Sequence, residues 1–269
     1  MTPHEYARDR RETDFDHTGD SVPADAVRRI FADMREHCPV AHSDRHGGFD
    51  YISRYQEVRR ILADSTTFST TDGVFLPPSG LPRVPPLEYD PPMHTVLRAV
   101  MDGPPTDDYL SALASGEIDG RQVDAEFVTG IMSAFMLGGH HSTATAIAGL
   151  LRLVLPNPKV REQSKSDDHL LARAIEESLR LTTPLSLFGR TVRCDTEVGG
   201  VSFGRQSGRR NRDPRQFVAP ETFDANRPHN THVAFGRGLH TCSGQHLARA
   251  EMRIVSGLPV VFTPEQLRC

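Results

Sequence analysis

Between Asp124 and Leu155 apolar residues return at helical spacing over the longest stretch of the chain, with Val128, Ile131, Phe135, Leu137, Ile147, Leu150, Leu151 and Val154 supplying the pattern. Pro156 stops it, since proline lacks the N–H that would continue the ladder. Inside the run stands Gly138-Gly139, a pair that weakens a helix interior and so needs a reason. A helix this long hides its apolar stripe only if other elements pack along it.

Shorter amphipathic helices are expected over 23–38, where Ala26, Val27, Ile30, Phe31 and Met34 share a face, and over 55–63 and 94–101. Two more are expected over 168–181 and 245–255. A short extended segment falls at 49–52, and the turn-rich, alternating residues 189–203 predict short strands. Many of the 20 prolines gather in 71–92, which must be mostly irregular. No internal repeat is evident. The expectation is a single domain over 1–269, mainly α with a small β component.

The net charge of −4 is nearly balanced and the arginines are scattered, so neither nucleic acid nor a membrane surface is an expected partner. Residues 1–20 are strongly charged without an apolar run, and no later window is long enough to span a bilayer. A cytoplasmic protein is expected. Its four cysteines, Cys38, Cys194, Cys242 and Cys269, form no C-x-x-C pair or zinc spacing and should be reduced in that compartment.

One cysteine has unusual neighbours. Gly236 and Gly238 precede Cys242 in a loop, and Gly244 follows it at the mouth of a helix. Glycines let a backbone approach a flat ligand closely. A thiolate at a helix N-terminus is stabilised by the dipole and by unpaired N–H groups. Taken alone, these residues fit either a ligating cysteine or an ordinary glycine-rich turn.

Phe235-Gly236-x-Gly238-x-His240-x-Cys242-x-Gly244 resembles the haem-binding loop of the cytochrome P-450 family at every defining position. The resemblance implies haem b (iron protoporphyrin IX), with Cys242 as the proximal metal ligand whose electron donation favours O–O cleavage. It also implies Phe235 packed against the haem and His240 at a propionate. Glu177-Ser-Leu-Arg180 matches the family's E-x-x-R signature. By itself that spacing reads as a surface ion pair of little worth; upstream of this loop it is expected in a buried network that supports it. Asn211-Arg212-Asp213-Pro214 with Phe217 resembles the meander between the two. Asp90-Pro91-Pro92-x-His94-x-x-x-Arg98 resembles the start of the family's C helix. Four residues apart, His94 and Arg98 share a face and can reach one propionate; without the resemblance they read as a solvated helix face. Arg190 matches a further propionate-binding arginine.

Gly138-Gly139 then matches the family's long I helix, where small residues such as Gly139 make room for dioxygen while an acid and an alcohol carry protons. Here His141 stands at the acid position, followed by the alcohols Ser142 and Thr143. Histidine relays protons near neutral pH. Adjacent helical residues point about 100° apart, so His140 and His141 do not chelate one metal. The pair is either a solvated groove lining or, through His141 or Ser142, part of a proton relay, with Thr143 beside it.

The chain is short for the family, which implies a cytochrome P-450-like fold lacking much of the D to H helical region. Apparent internal deletions fall near 102–118, 163–166, 204–210 and 255–257, and 258–262 resembles a C-terminal strand segment. A shortened variant, a decayed homologue and a chain with segments left out all fit. The resemblance implies a bacterial-type monooxygenase that inserts one oxygen atom from O2 into an apolar small-molecule substrate. Its electrons would come from ferredoxin and ferredoxin reductase or another external donor. The alternative is a non-catalytic haem-binding protein, or a peroxide-driven peroxygenase, on a truncated scaffold.

Overall fold

The computed structural model describes residues 11–13, 15–18, 23–102, 117–118, 121–185, 187–203 and 212–257. Strand β1 (Arg11–Glu12) pairs in parallel with β2 (Val40–Ser43), which pairs antiparallel with β3 (Phe49–Ile52). Helix α1 (Ala24–His37) buries Phe31 and Met34 against Phe49 and Tyr51. The Phe31 and Tyr51 rings meet edge to face at 5.5 Å. All four residues of β3 are buried. Its alternation puts Phe49 and Tyr51 in that cluster, while Ile52 joins a second one with Val58 and Ile61 of α2 (Tyr55–Ala63). Helix α2 is capped from far away, because Asp213 Oδ2 accepts the Tyr55 N–H at 3.0 Å.

Strand β4 (Phe68–Ser69) leads into the proline-rich stretch, which has neither helix nor strand, as expected. Helix α3 (Met93–Asp102) follows, and β5 (Glu117–Ile118) pairs with β6 (Arg121–Gln122). The long apolar run is a helical column in three parts. Asp124 caps α4 (Ala125–Phe135) by accepting the Phe127 N–H at 2.7 Å. The glycine pair lies in a π-helical segment, Met136–Ser142, and α5 (Thr143–Val154) completes the column. A π turn widens the helix locally and is common at functional sites.

Helix α6 (Pro158–Gln163) is not legible in the sequence, because six residues are too few for a period to show. Proline in its first turn costs nothing there. Helix α7 (Asp168–Thr182) starts at Asp167, whose side chain accepts the Leu170 N–H at 2.9 Å. It packs on α5 so closely that a Cβ at Gly149 would overlap the Thr182 side chain. Strand β7 (Thr191–Val192) pairs with β4, β8 (Thr196–Val198) pairs with β9 (Val201–Phe203), and α8 (Gln245–Gly257) packs on α5 and α7.

The stretches 103–116, 119–120, 204–211 and 258–262 lie outside the described residues, so the expectations placed there, Asn211 included, are not addressed by this structure. Residues 163–166 form a hydrogen-bonded turn, with the Ser166 N–H on Gln163 O at 3.2 Å, and 255–257 is the last turn of α8.

The E-x-x-R pair is not on the surface. Glu177 and Arg180 are both 0 % exposed and joined by two bonds, 2.8 and 2.9 Å long. Glu177 also accepts from Arg227 Nε at 2.9 Å, Asn230 Nδ2 at 3.1 Å and the Asp224 N–H at 3.2 Å. Arg180 donates to Pro220 O at 2.7 Å. Two buried charges are thus saturated, and the irregular 213–233 segment is tied to α7. Burial alone would raise the Glu177 carboxyl, but the Arg180 and Arg227 bonds outweigh it and hold it below 4.5.

Glu177→Ala is expected to lower folding stability by about 3–5 kcal/mol, because Arg180 would be left buried and unpaired. A depressed folded-state value stabilises the fold above the unfolded one and is lost as pH falls. The difference between variant and parent, read by urea unfolding, should therefore shrink as pH drops from neutral through and below 4.5.

Candidate functional site: the Cys242 loop and its cationic pocket

The cysteine loop is shaped by two glycines in left-handed backbone, Gly236 at φ 74° and Gly238 at φ 70°. A Cβ on Gly238 would stand 2.9 Å from Leu62 O and Ala63 Cα, so the loop meets the end of α2 with no room for a side chain. The Gly236 N–H bonds Val233 O at 3.0 Å, and the Cys242 N–H bonds Phe235 O at 2.8 Å. These bonds close a ring that presents Cys242 just before α8, with Gly244 following it.

Cys242 is exposed on its open side. Desolvation behind the sulfur nevertheless pushes its thiol up, against the Gly244 N–H, Arg98, Arg249 and the Gln245 N–H, which pull it down. The helix-mouth N–H groups thus favour the thiolate, and desolvation opposes them and sets the net direction. Coordination to a metal ion would reverse this, since a bound thiol is deprotonated outright.

The expected propionate groups converge. Arg98, on α3, donates to Thr241 O at 2.5 Å. His94, one turn earlier and buried, sets its ring 4.5 Å from that of His240. Arg190, also buried, donates to Gly189 O at 2.7 Å just before β7. Burial, then the positive charge of Arg190 and His94, pushes His240 down to about 3, with Asp90 opposing. Burial brings Arg190 down to about 10, again with Asp90 opposing. His240 Nε2 is buried without a hydrogen-bond partner among the described residues. Two arginines beside a buried ring nitrogen that lacks a partner among the described residues suit an anion. Together with the glycine-lined cysteine ring, these residues fit haem, whose carboxylates would meet the cations while its iron meets the sulfur.

Two further residues were not evident from the sequence. Glu176, adjacent to Glu177, accepts from Arg249 Nε at 2.6 Å and from Arg249 Nη2 at 3.0 Å. It also accepts from His232 Nε2 at 3.1 Å, while His232 Nδ1 accepts the Ala234 N–H at 3.1 Å. The Arg249 guanidinium lies 4.4 Å over the ring of Phe235, which packs beside Leu150, Leu179 and Met252. The only hint in the sequence was an acid directly before Glu177.

On the helical column Gly138, Gly139, His140 and His141 are exposed, Ser142 is half-buried and Thr143 is buried. Ser142 Oγ donates to Gly138 O at 2.5 Å within the π segment. Met132, Phe135, Met136 and Leu137 are exposed along the same column. A separate cavity of about 300 Å³ is lined by Val74, Phe75, Leu76, Leu187 and Gly189 among others. No residue of the Cys242 loop lines it; Gly189, on its wall, precedes Arg190.

The family model described as Cytochrome P450 matches residues 102–258. Cytochrome P450-terp of a Pseudomonas species is 37 % identical over 158 residues, 56 % of this chain and 36 % of that protein. Nocardicin C N-oxygenase of Nocardia uniformis is 36 % identical over 181 residues, 61 % of this chain and 45 % of that protein. The chain thus spans less than half the length of these curated relatives. Among solved structures, CYP108D1 from Novosphingobium aromaticivorans superposes with a TM-score of 0.73 at 23 % identity, covering 87 % of this chain and 86 % of the other. That likeness carries the fold, while the sequence match runs from the last residue of α3 through the helix behind Cys242. On that span, with the cysteine ring and its cationic pocket inside the same fold, the chain belongs to the cytochrome P450 family.

Proposed function

We propose that Cys242 is the axial ligand of haem b iron, and that the protein is a monooxygenase of apolar small molecules served by an external donor such as ferredoxin with its reductase. The observation that carries the reading is the meeting of His94, Arg98, Arg190 and His240 beside the Cys242 ring, with His240 Nε2 orphaned. Haem, when bound, supplies the iron at which dioxygen is reduced and its O–O bond cleaved.

The chain's own residues do the rest. Arg98 and Arg190 would donate N–H bonds to the propionates, and His94 and His240 would complete the cluster. A carboxylate beside His240 offsets the positive charge that now disfavours its protonation. Phe235 covers the sulfur side, and Gly236, Gly238 and Gly244 keep side chains out of the macrocycle's way. Gly139 would leave space for dioxygen, and His141, Ser142 and Thr143 would hold or pass protons at their ring nitrogen and Oγ atoms. Ser142 Oγ donates to Gly138 O, so to relay a proton it would have to rotate off that carbonyl and give its own proton onward as it accepts another. Substrate choice would fall to the 71–86 loop and the 184–188 turn, whose residues Phe75, Leu76 and Leu187 meet at the 300 Å³ cavity. No described helix is long and apolar enough to cross a membrane, and cytoplasmic residence accords with the reading.

One observation favours a second reading. Met132, Phe135, Met136 and Leu137 are exposed, which is what a site without its full roof presents. Water then reaches the distal side, and the chain would be a non-catalytic haem-binding protein or a peroxide-driven peroxygenase. Product formed with donor proteins, against reductant consumed without product, separates the two.

The carbon monoxide difference spectrum of the reduced, haem-loaded protein should show a thiolate-type Soret band that Cys242→Ser abolishes. Its persistence in that variant would remove the ligand assignment. His141→Ala is expected to slow donor-driven turnover by about 10²-fold or more, the usual worth of a positioned acid–base group. Unchanged turnover at all pH values would take His141 off the proton path.

A further inference from the structure

We infer that His232 is a positioning residue for the cysteine loop: its imidazole clamps the backbone at Ala234 to Glu176 of α7 and thereby sets where Cys242 presents its sulfur. The inference rests on the proposed axial role of Cys242.

Two adjacent glutamates of α7 serve different purposes. Glu177 reaches Arg180, Arg227 and Asn230 and secures the segment before the loop. Glu176, about 100° around the helix, reaches the loop itself. From its carboxylate one path runs through His232 to the Ala234 N–H. A second runs through Arg249, whose guanidinium lies over the Phe235 ring. Both paths end on consecutive residues, and the carbonyl of the second, Phe235, accepts the Cys242 N–H at 2.8 Å. The backbone that holds Cys242 is therefore referenced to one carboxylate from two directions.

Imidazole suits this bridge chemically. Its Nδ1 accepts from an amide, so the hydrogen-bond pattern assigns the proton to Nε2, where it is donated to Glu176. The His232 side chain is only 4 % exposed, so water does not readily replace either bond. Burial would raise the Glu176 carboxyl, but bonds from Arg249 and His232 hold it at about 2, so the acceptor stays charged across the working range. Removing His232 would leave the Arg249–Glu176 pair between α8 and α7 in place. The loss would fall on the Ala234 tether, not on the packing of the helices.

The test compares His232→Leu with His232→Gln in the full chain. Leucine fills space without either bond, whereas glutamine can accept at Oε1 and donate at Nε2. In the haem-free protein, hydrogen exchange at the Ala234 amide should quicken by about tenfold or more in His232→Leu, the scale of one buried hydrogen bond lost, and recover in His232→Gln. In the haem-loaded protein the thiolate-type share of the carbon monoxide spectrum should fall in His232→Leu and be restored in His232→Gln. The inference is overturned if His232→Leu keeps both the amide protection and the spectrum, or if folded His232→Gln restores neither. Should His232→Leu not fold, the parent and His232→Gln decide. Protection of Ala234 well above that of exposed loop amides in both supports the clamp, and its absence in the parent refutes it. The amide measurement needs no haem, so it can fail independently of the Cys242→Ser experiment, which tests the axial assignment itself.

Discussion

Buried charge in α7 is the constraint from which the Cys242 side of the molecule is built. A carboxylate and a guanidinium withdrawn from water are tolerated only when their hydrogen-bonding capacity is filled. Glu177 and Arg180 fill theirs with each other and with groups from 220–230, a stretch with no regular secondary structure. The pair thus gives an irregular segment one conformation, and the cysteine loop begins where that segment ends. Glu176 extends the same logic by one residue, from the approach to the loop onto the loop itself.

The second organising feature is a gathering of basic side chains. Arg98, Arg190, His94 and His240 come from three separate parts of the chain, with Asp90 the carboxylate that opposes their effect on His240. Burial depresses both His240 and Arg190, so the protein keeps the cluster at an electrostatic cost. Functional sites commonly carry such stress because the ligand relieves it. The sulfur carries a complementary stress. Its loop favours the thiol, and a metal would favour the thiolate. A dianionic macrocycle with an iron centre would relieve both together, which is why the two halves of the site are best read as one.

Much of the fold was legible in the residues. The helices over 24–37, 55–63, 93–102, 125–154, 168–182 and 245–257 lie where periodicity and stop signals place them. Those signals are local: a face returning every three to four residues and a proline at the end. What escaped were elements too short to show a period, α6 and the two-residue strands such as β4, which exist through partners distant in sequence. Cys242, His240 and the glycines stood out because their spacing is contiguous. Glu176 and His232 did not, because a bond across 56 residues leaves no mark on either neighbourhood.

The helical class, the family, the cysteine at a helix mouth and a glycine pair needing a reason inside the long column were all legible from the residues alone. These follow from side-chain type and spacing along one chain. The resemblance already put Glu177–Arg180 in a buried network, and the tertiary structure supplied the partners from 220–230 that make the burial tolerable. Only the tertiary structure decided that Gly138-Gly139 is accommodated as a π turn, and that desolvation outweighs the helix N–H groups at the Cys242 sulfur. Each is a competition between a local preference and the surroundings supplied by remote residues, and only folding brings those surroundings together.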